Sequence, residues 1–349
     1  MTERPFDTVI VPDFRPGRAA LFEGRALLFL ACWSAYAGGA REWPLHVVCI
    51  GEPPETVRRA AKRAGASLAV KEPIDAELRG TSNKIRGLET PARTGRIFLL
   101  DADAFPLGDL SDLAAAGEGV ALSPALQPRI PEETWPEIYG LLGLEEPEER
   151  IVSIRAELDC PRQSRSVRWD RSLPHRSIHP YYSGGAVLLP ADGGLRELWE
   201  ENIRRIRAAF GDGGRRGRAF SESDQAGLAA AVQALRARGV PVRRLPDHFH
   251  ANWLHLFRGT IPPEEIRVFH AHKIFRGGAA GGPRSGPARY GSFLAAGMLV
   301  EAWRQDIARL RPDRAARDIP RGLAGARFVA GRLVRAWNRF VVEEKVPRK

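Results

Sequence analysis

The chain of 349 residues carries 53 Lys and Arg against 42 Asp and Glu, a formal charge of +11, with 44% hydrophobic and 27% charged residues. This excludes a disordered chain and allows one large α/β domain or two modest ones. Three cysteines without metal-ligand spacing or an even-numbered framework (Cys32, Cys49, Cys160) exclude a disulfide scaffold and point to a reducing compartment.

The first residues, MTERPFD, hold no apolar signal stretch, and no run of 18 apolar residues occurs, so the expected location is cytoplasmic. The basic excess has two readings. It invites a polyanion such as a phosphorylated substrate, nucleic acid or anionic membrane surface. It also fits an arginine-biased coding genome, because only six of the basic residues are lysines.

Thr8 to Pro12 (TVIVP) reads as a buried strand ending at Asp13. Leu21 to Ala37 has a long helix pattern closed by Gly38-Gly39. Leu45 to Ile50 is a second strand, Pro54 to Ala64 an amphipathic helix with Gly65 past its end, and Ser67 to Val70 a third strand. A helix around Asn83 to Glu89 precedes the apolar strand Arg96 to Leu100. Strands separated by helices of this length predict an α/β fold with a parallel, helix-covered sheet.

Residues 124–180, rich in Pro, Glu and Arg, read as an irregular insertion with a helix at Trp135 to Leu142. Tyr181 to Leu189 is the next strand, followed by helices at Leu195 to Phe210 and Glu222 to Ala237 and short strands at Val240 to Leu245 and Ile266 to Phe269. Residues 277–287 form a Gly-rich loop. The expected organisation is one α/β domain over 1–312, then a basic amphipathic segment over 313–349.

Asp101 and Asp103 directly follow the strand RIFLL. In open α/β sheets ligands bind beyond the carboxyl ends of strands. Two carboxylates there suit a hard divalent cation, Mg²⁺ or Mn²⁺, which prefers oxygen ligands. Such a pair can equally cap a loop. Asp13, after the first strand, could accept from a nucleotide base or simply end the strand.

The stretch NKIRGLETPARTGRIFLLDADAFPLGDLSDL, residues 83–113, resembles the central segment of glycosyltransferase family 8. A Lys-bearing helix (Lys84) precedes a strand ending in Asp101-Ala102-Asp103, then an apolar strand, then Asp109-Leu110. Tyr181 to Leu189, with Tyr182, Ser183, Gly184 and Gly185, resembles the family's strand near acceptor and donor sugar. Asp224-Gln225 resembles its Asp-Gln pair at a helix start, and IRVFH resembles the late strand whose His completes the metal site. The following loop departs from the pattern: Lys273 stands at a Gly position, Arg276 at the Lys position, and no Pro-Trp follows.

The resemblance implies a GT-A-like nucleotide-sugar-binding fold with a mixed, mainly parallel central sheet flanked by helices, and a hexosyltransferase using a UDP-sugar, with retention of anomeric configuration. It implies Mn²⁺ or Mg²⁺ on Asp101, Asp103 and His270, with His272 as the competing ligand. Lys84, Lys273 and Arg276 would face the diphosphate, Asp224 the reacting sugar, and Gln225 would orient that sugar. The implied acceptor is a glycan or lipid-linked glycan, and no nucleic acid is expected.

Other residues stay open. His248 and His250, in PDHFHANW, tempt as a metal pair but lack a third ligand nearby, which favours a structural or acceptor-wall role. The Arg-rich stretch from Arg162 to His179 suits an anionic acceptor or a solvated loop. The helix from Gly322 to Val342, with Trp337 and Phe340, suits either an anionic membrane surface, making the protein peripheral on the inner membrane face, or packing on the core. Two rival functions remain: a haloacid-dehalogenase-type phosphatase with Asp101 as nucleophile, and a non-catalytic basic membrane- or nucleic-acid-binding protein.

Overall fold

The computed structural model describes residues 5–74, 82–126, 129–157, 177–211, 217–271 and 315–345. The chain divides into two compact units, Met1–Ala116 with Pro246–Lys349, and Gly117–Leu245.

In the first unit, β1 (Asp7–Ile10), β2 (Leu45–Ile50), β3 (Ser67–Lys71) and β4 (Arg96–Leu100) lie in the order β3-β2-β1-β4. Every neighbouring pair is parallel, with Thr8 opposite Leu45 and Ile10 opposite Leu100. Parallel strands need crossovers, which α1 (Ala19–Tyr36) and α2 (Glu55–Arg63) supply. β2 is buried along its whole length, as a strand covered on both faces requires.

Its one polar side chain, His46, is held between neighbours, with Nε2 2.7 Å from Asp7 Oδ2 and Nδ1 2.6 Å from Ser67 Oγ. Asp7 also accepts from the backbone N–H groups of Arg93 (2.9 Å) and Thr94 (3.0 Å) and from the Thr94 hydroxyl (2.7 Å). Burial pushes the Asp7 carboxyl up, but these donors outweigh it and hold the group below the usual range.

A small antiparallel ladder, β5 (Ala104–Pro106) with β9 (Val268–His270), places Ala104 opposite His270. Helix α8 (Trp253–Arg258) and the long α9 (Ala315–Lys345) complete this unit. α9 packs on α1 and α8. Ala326, Val329, Leu333, Ala336, Trp337 and Phe340 are buried, while Arg327, Arg335 and Arg339 face water. This corrects the membrane-surface expectation: Trp337 and Phe340 belong to the core, and Arg63 stacks on the Phe340 ring at 4.0 Å. The apolar stripe at three- and four-residue spacing is satisfied internally. No described helix is long and apolar enough to cross a membrane.

In the second unit β7 (Tyr182–Pro190), β6 (Val120–Pro124) and β8 (Val242–Arg244) lie in the order β7-β6-β8. β6 is antiparallel to β7 and parallel to β8. Helices α3 (Trp135–Leu142), α4 (Ile154–Glu157), α5 (Leu195–Ala209), α6 (Gly217–Ser221) and α7 (Ser223–Ala237) accompany them. α5 and α7 meet closely at Gly227, where a Cβ would lie 2.8 Å from Ile203 Cγ1. The pairing is thus mixed and mainly parallel, with flanking helices, as expected.

Some local expectations change. The helix predicted over Asn83 to Glu89 is a 3₁₀ segment, Ser82–Glu89. It lies so close to the sheet that a Cβ on Gly87 would meet Val9, Val11 and Leu99 at 2.8–2.9 Å. Within 124–180 the expected helix forms as α3, and among the described residues the short α4 and a bridge from Ile151 to Ile178 add order that was not expected. Residues 158–176, the loop 277–287, and with them Cys160 and the arginines from 162 to 176, lie outside the described residues. Cys32 and Cys49 are core residues, and burial pushes the Cys49 thiol up to about 12, which keeps it protonated.

Candidate metal and nucleotide site

Asp101 ends β4 and the chain turns back at once, with the Ala104 N–H donating to the Asp101 carbonyl at 2.9 Å. That turn brings both carboxylates to one side. The β5–β9 ladder then delivers His270 from 167 residues further on, and the Ala271 N–H donates to the Asp103 carbonyl at 2.9 Å. His270 Nε2 stands 3.4 Å from Asp103 Oδ1 and 3.8 Å from Asp101 Oδ2. One ligand atom from each of the three residues lies within 4.8 Å of the others.

Two cations hold the far oxygens. Lys84 Nζ is 2.7 Å from Asp101 Oδ1, and Arg25 Nη2 is 2.9 Å from Asp103 Oδ2. The Arg25–Asp103 pair is buried, its side chains 5% and 7% exposed. Each carboxylate therefore presents one oxygen to a basic side chain and turns the other toward His270. The second oxygens and the imidazole nitrogen form a three-point donor set of the kind Mn²⁺ or Mg²⁺ takes, leaving further positions for phosphate oxygens.

Burial pulls the His270 pKa down, but its hydrogen bond to Asp103 and the charges of Asp103 and Asp101 outweigh this and raise it above the ordinary value. Behind it lies His250, with Nε2 3.1 Å from His270 Nδ1. Burial, then the neighbouring His270, hold His250 well below the ordinary value. Burial thus favours the neutral form of His250.

Asp13 is buried at the carboxyl end of β1, where it bridges Ile50. Arg15 grips its carboxylate through Nε at 2.9 Å and Nη2 at 2.7 Å, and Arg18 stands 3.6 Å away. Asn83 Nδ2 is 3.5 Å from the same carboxylate, so the adjacent residues Asn83 and Lys84 reach Asp13 and Asp101 respectively. The structure thus brings Asp13, Lys84, Asp101, Asp103 and His270 to one end of the sheet, with Ala102 buried in the turn.

Sequence reasoning missed Arg25, Asn83, Arg15 and the partnership of His250 with His270. For Arg25 a signal existed: a charge directly preceding the apolar run ALLFLACW in a helix needs a counter-charge if it is buried with that run. His272, Lys273 and Arg276 lie outside the described residues.

The remaining candidates belong to the second unit. Tyr182 is buried and lines a cavity of about 390 Å³ with Arg236, Arg243, Arg244, Glu149 and Glu157. The Ser183 hydroxyl accepts from the Gly185 N–H at 3.2 Å. Asp224 and Gln225 are half-buried in the first turn of α7, where the Asp224 carbonyl accepts from Trp199 Nε1 at 2.6 Å. His179 is structural, clamped by Glu132 and Glu146 at 2.7 Å on its two nitrogens. Asp109 accepts from Ser111 N–H and Oγ at 2.9 and 2.7 Å, at the start of the 3₁₀ segment Ser111–Ala115.

A family model described as a Rhodobacterales glycosyltransferase domain matches residues 25–236, more than half of the chain. Among curated proteins none matches the sequence. Among solved structures, an active-site mutant of LgtC is 14% identical, with 83% of this chain and 95% of that chain covered and a TM-score of 0.46. The glycosyltransferase GlyE of Streptococcus pneumoniae is 12% identical over 76% of this chain, with a TM-score of 0.41, and this chain covers 54% of it, about half its length. Mouse xyloside xylosyltransferase 1 is 10% identical, with 80% and 99% of the two chains covered and a TM-score of 0.40.

Proposed function

The chain belongs to the family of Rhodobacterales glycosyltransferase domains, and from that premise we propose that it moves a hexose from a nucleotide-diphosphate sugar, a UDP-sugar, to a glycan or lipid-linked glycan with the help of a divalent metal. Family membership makes the chain a glycosyltransferase and removes the phosphatase and the non-catalytic readings. The observation that supports metal dependence is the donor set of Asp101, Asp103 and His270, with one oxygen of each carboxylate turned to the imidazole.

Bound there, Mn²⁺ or Mg²⁺ would neutralise the charge of a departing diphosphate. The protein's own residues have distinct tasks in this reading. Asp101, Asp103 and His270 hold the ion, and Lys84, already beside Asp101, supplies fixed positive charge to phosphate oxygens. Lys273 and Arg276 add to that charge. Asp13 accepts from the base once Arg15 yields, or orders the end of β1. Asp224 stabilises the oxocarbenium-like sugar, Gln225 orients it, and Tyr182 to Gly185 line the sugar's path. The uridine base, the roles in the second unit and retention rest on the resemblance to glycosyltransferase family 8.

Calorimetric titration with UDP, with and without Mn²⁺, tests the reading. Binding that requires metal and is lost in Asp103→Asn is the expected result. Equal binding by folded Asp103→Asn would overturn the metal assignment.

A further inference from the structure

His250 is 6% exposed and follows the 3₁₀ segment Asp247–Phe249. Its Nε2 lies 3.1 Å from His270 Nδ1, and the two rings stack with centroids 4.9 Å apart and planes 28° apart. Backbone hydrogen bonds hold the pair in place. The Ala251 N–H donates to the Val268 carbonyl at 3.0 Å, and the His270 N–H to the Ala251 carbonyl at 2.7 Å. This junction holds the two backbones side by side.

The two nitrogens of His270 have different surroundings. Nε2 faces the carboxylates of Asp103 and Asp101, and Nδ1 faces His250. A neutral imidazole carries one N–H and one lone pair. To offer a lone pair at Nε2, His270 must keep its proton on Nδ1, and that N–H needs an acceptor in a buried place. Metal-bound histidines commonly donate their other ring N–H to a partner that fixes tautomer and ring orientation.

We propose that His250 is a positioning residue that accepts a hydrogen bond from His270 Nδ1–H through its own Nε2, so that the Nε2 lone pair of His270 is aimed between Asp101 and Asp103. The inference rests on the metal-site reading above. It adds a member that neither acts as a ligand nor touches the donor. His250 thereby finds a role that its His-x-His spacing did not suggest, since the second histidine of the pair works through His270 and not beside His248.

The experiment compares Mn²⁺ binding, measured by electron paramagnetic resonance of the free ion, in wild type, His270→Ala, His250→Phe and His250→Gln. Phe keeps a ring but removes the acceptor, and Gln returns an amide oxygen near the Nε2 position. Melting curves confirm folding. The expected result is a loss of about 10–100-fold in affinity for His250→Phe, partial recovery in His250→Gln, and the largest loss in His270→Ala. If His270→Ala loses Mn²⁺ while His250→Phe binds like wild type, the positioning role is overturned and the metal site stands.

If wild type and His270→Ala do not differ, the metal reading itself fails. The inference then falls with it; where they do differ, the tautomer decides the inference separately with the ion bound. Two-bond ¹⁵N–¹H correlations of ¹⁵N-histidine-labelled protein saturated with diamagnetic Mg²⁺, with His270 assigned by its absence in His270→Ala, are expected to show the proton on Nδ1, whereas without the ion Nε2–H faces the Asp103 carboxylate. A proton on Nε2 would overturn the proposal.

Discussion

Replacing Arg25 by Met removes the cation paired with Asp103 while keeping an unbranched side chain inside α1. Both partners are almost wholly buried and their N–O distance is 2.9 Å, so the cost follows the buried regime. Removing one partner of a buried pair costs about 3–5 kcal/mol, because the other charge is stranded. An exposed pair would cost roughly 0–1 kcal/mol. With about 2–4 °C per kcal/mol for a domain of this order, the metal-free variant should melt roughly 6–20 °C below wild type.

Mn²⁺ should reverse part of this. An ion on the opposite oxygens replaces the missing charge, and at 100 times Kd any native-state ligand adds about 2.7 kcal/mol. Because Arg25 competes for the same carboxylate, the variant should bind Mn²⁺ more tightly and gain more in melting temperature than wild type at equal free metal. Fluorescence-monitored melting across a Mn²⁺ series provides both numbers. A metal-free variant melting within about 1 °C of wild type would refute the buried-pair argument. A smaller Mn²⁺ gain than in wild type would refute the competition.

Trp337→Ala should cost about 3–5 kcal/mol in urea unfolding, because Trp337 is 1% exposed; a near-neutral change would return α9 to the surface. Gly87→Val should destabilise by about 1–3 kcal/mol through overpacking against Val9, Val11 and Leu99, and it should weaken UDP binding by shifting Lys84; unchanged melting and binding would sink both expectations. Burial pushes the Asp7 carboxyl up, but hydrogen bonds from Arg93, Thr94 and His46 hold it below the usual carboxylate range. A depressed folded pKa contributes stability above the unfolded value and loses it as pH falls toward the folded one. Asp7→Asn should therefore be less stable than wild type at pH 7, with the gap closing below about pH 4; a gap constant from pH 7 to pH 3 would contradict the linkage.

Much of the α/β pattern was legible because buried parallel strands announce themselves as continuous apolar runs. LHVVCI and RIFLL appear as β2 and β4 at the expected residues. β6 was not read, because VALSP is short and ends in proline. Helix α8 was hidden for a similar reason: six residues cannot show a 3.6-residue period.

The sequence by itself determined the acidic pair at a strand end, since Asp101 and Asp103 are local to β4 and need no other segment to lie at its carboxyl edge. Order along the chain also singled out Lys84 and His270 through their resemblance to a family pattern. Only the tertiary structure decided which charges meet. Arg25 reaches Asp103 from a helix far earlier in the chain, and His250 reaches His270 through a backbone junction between segments separated by 19 intervening residues. It also decided the fate of the basic tail, whose apolar stripe fits a membrane surface and a protein core equally well until α1 and α8 are seen to cover it. Local pattern encodes which atoms a segment offers, and packing alone decides which distant atoms they meet.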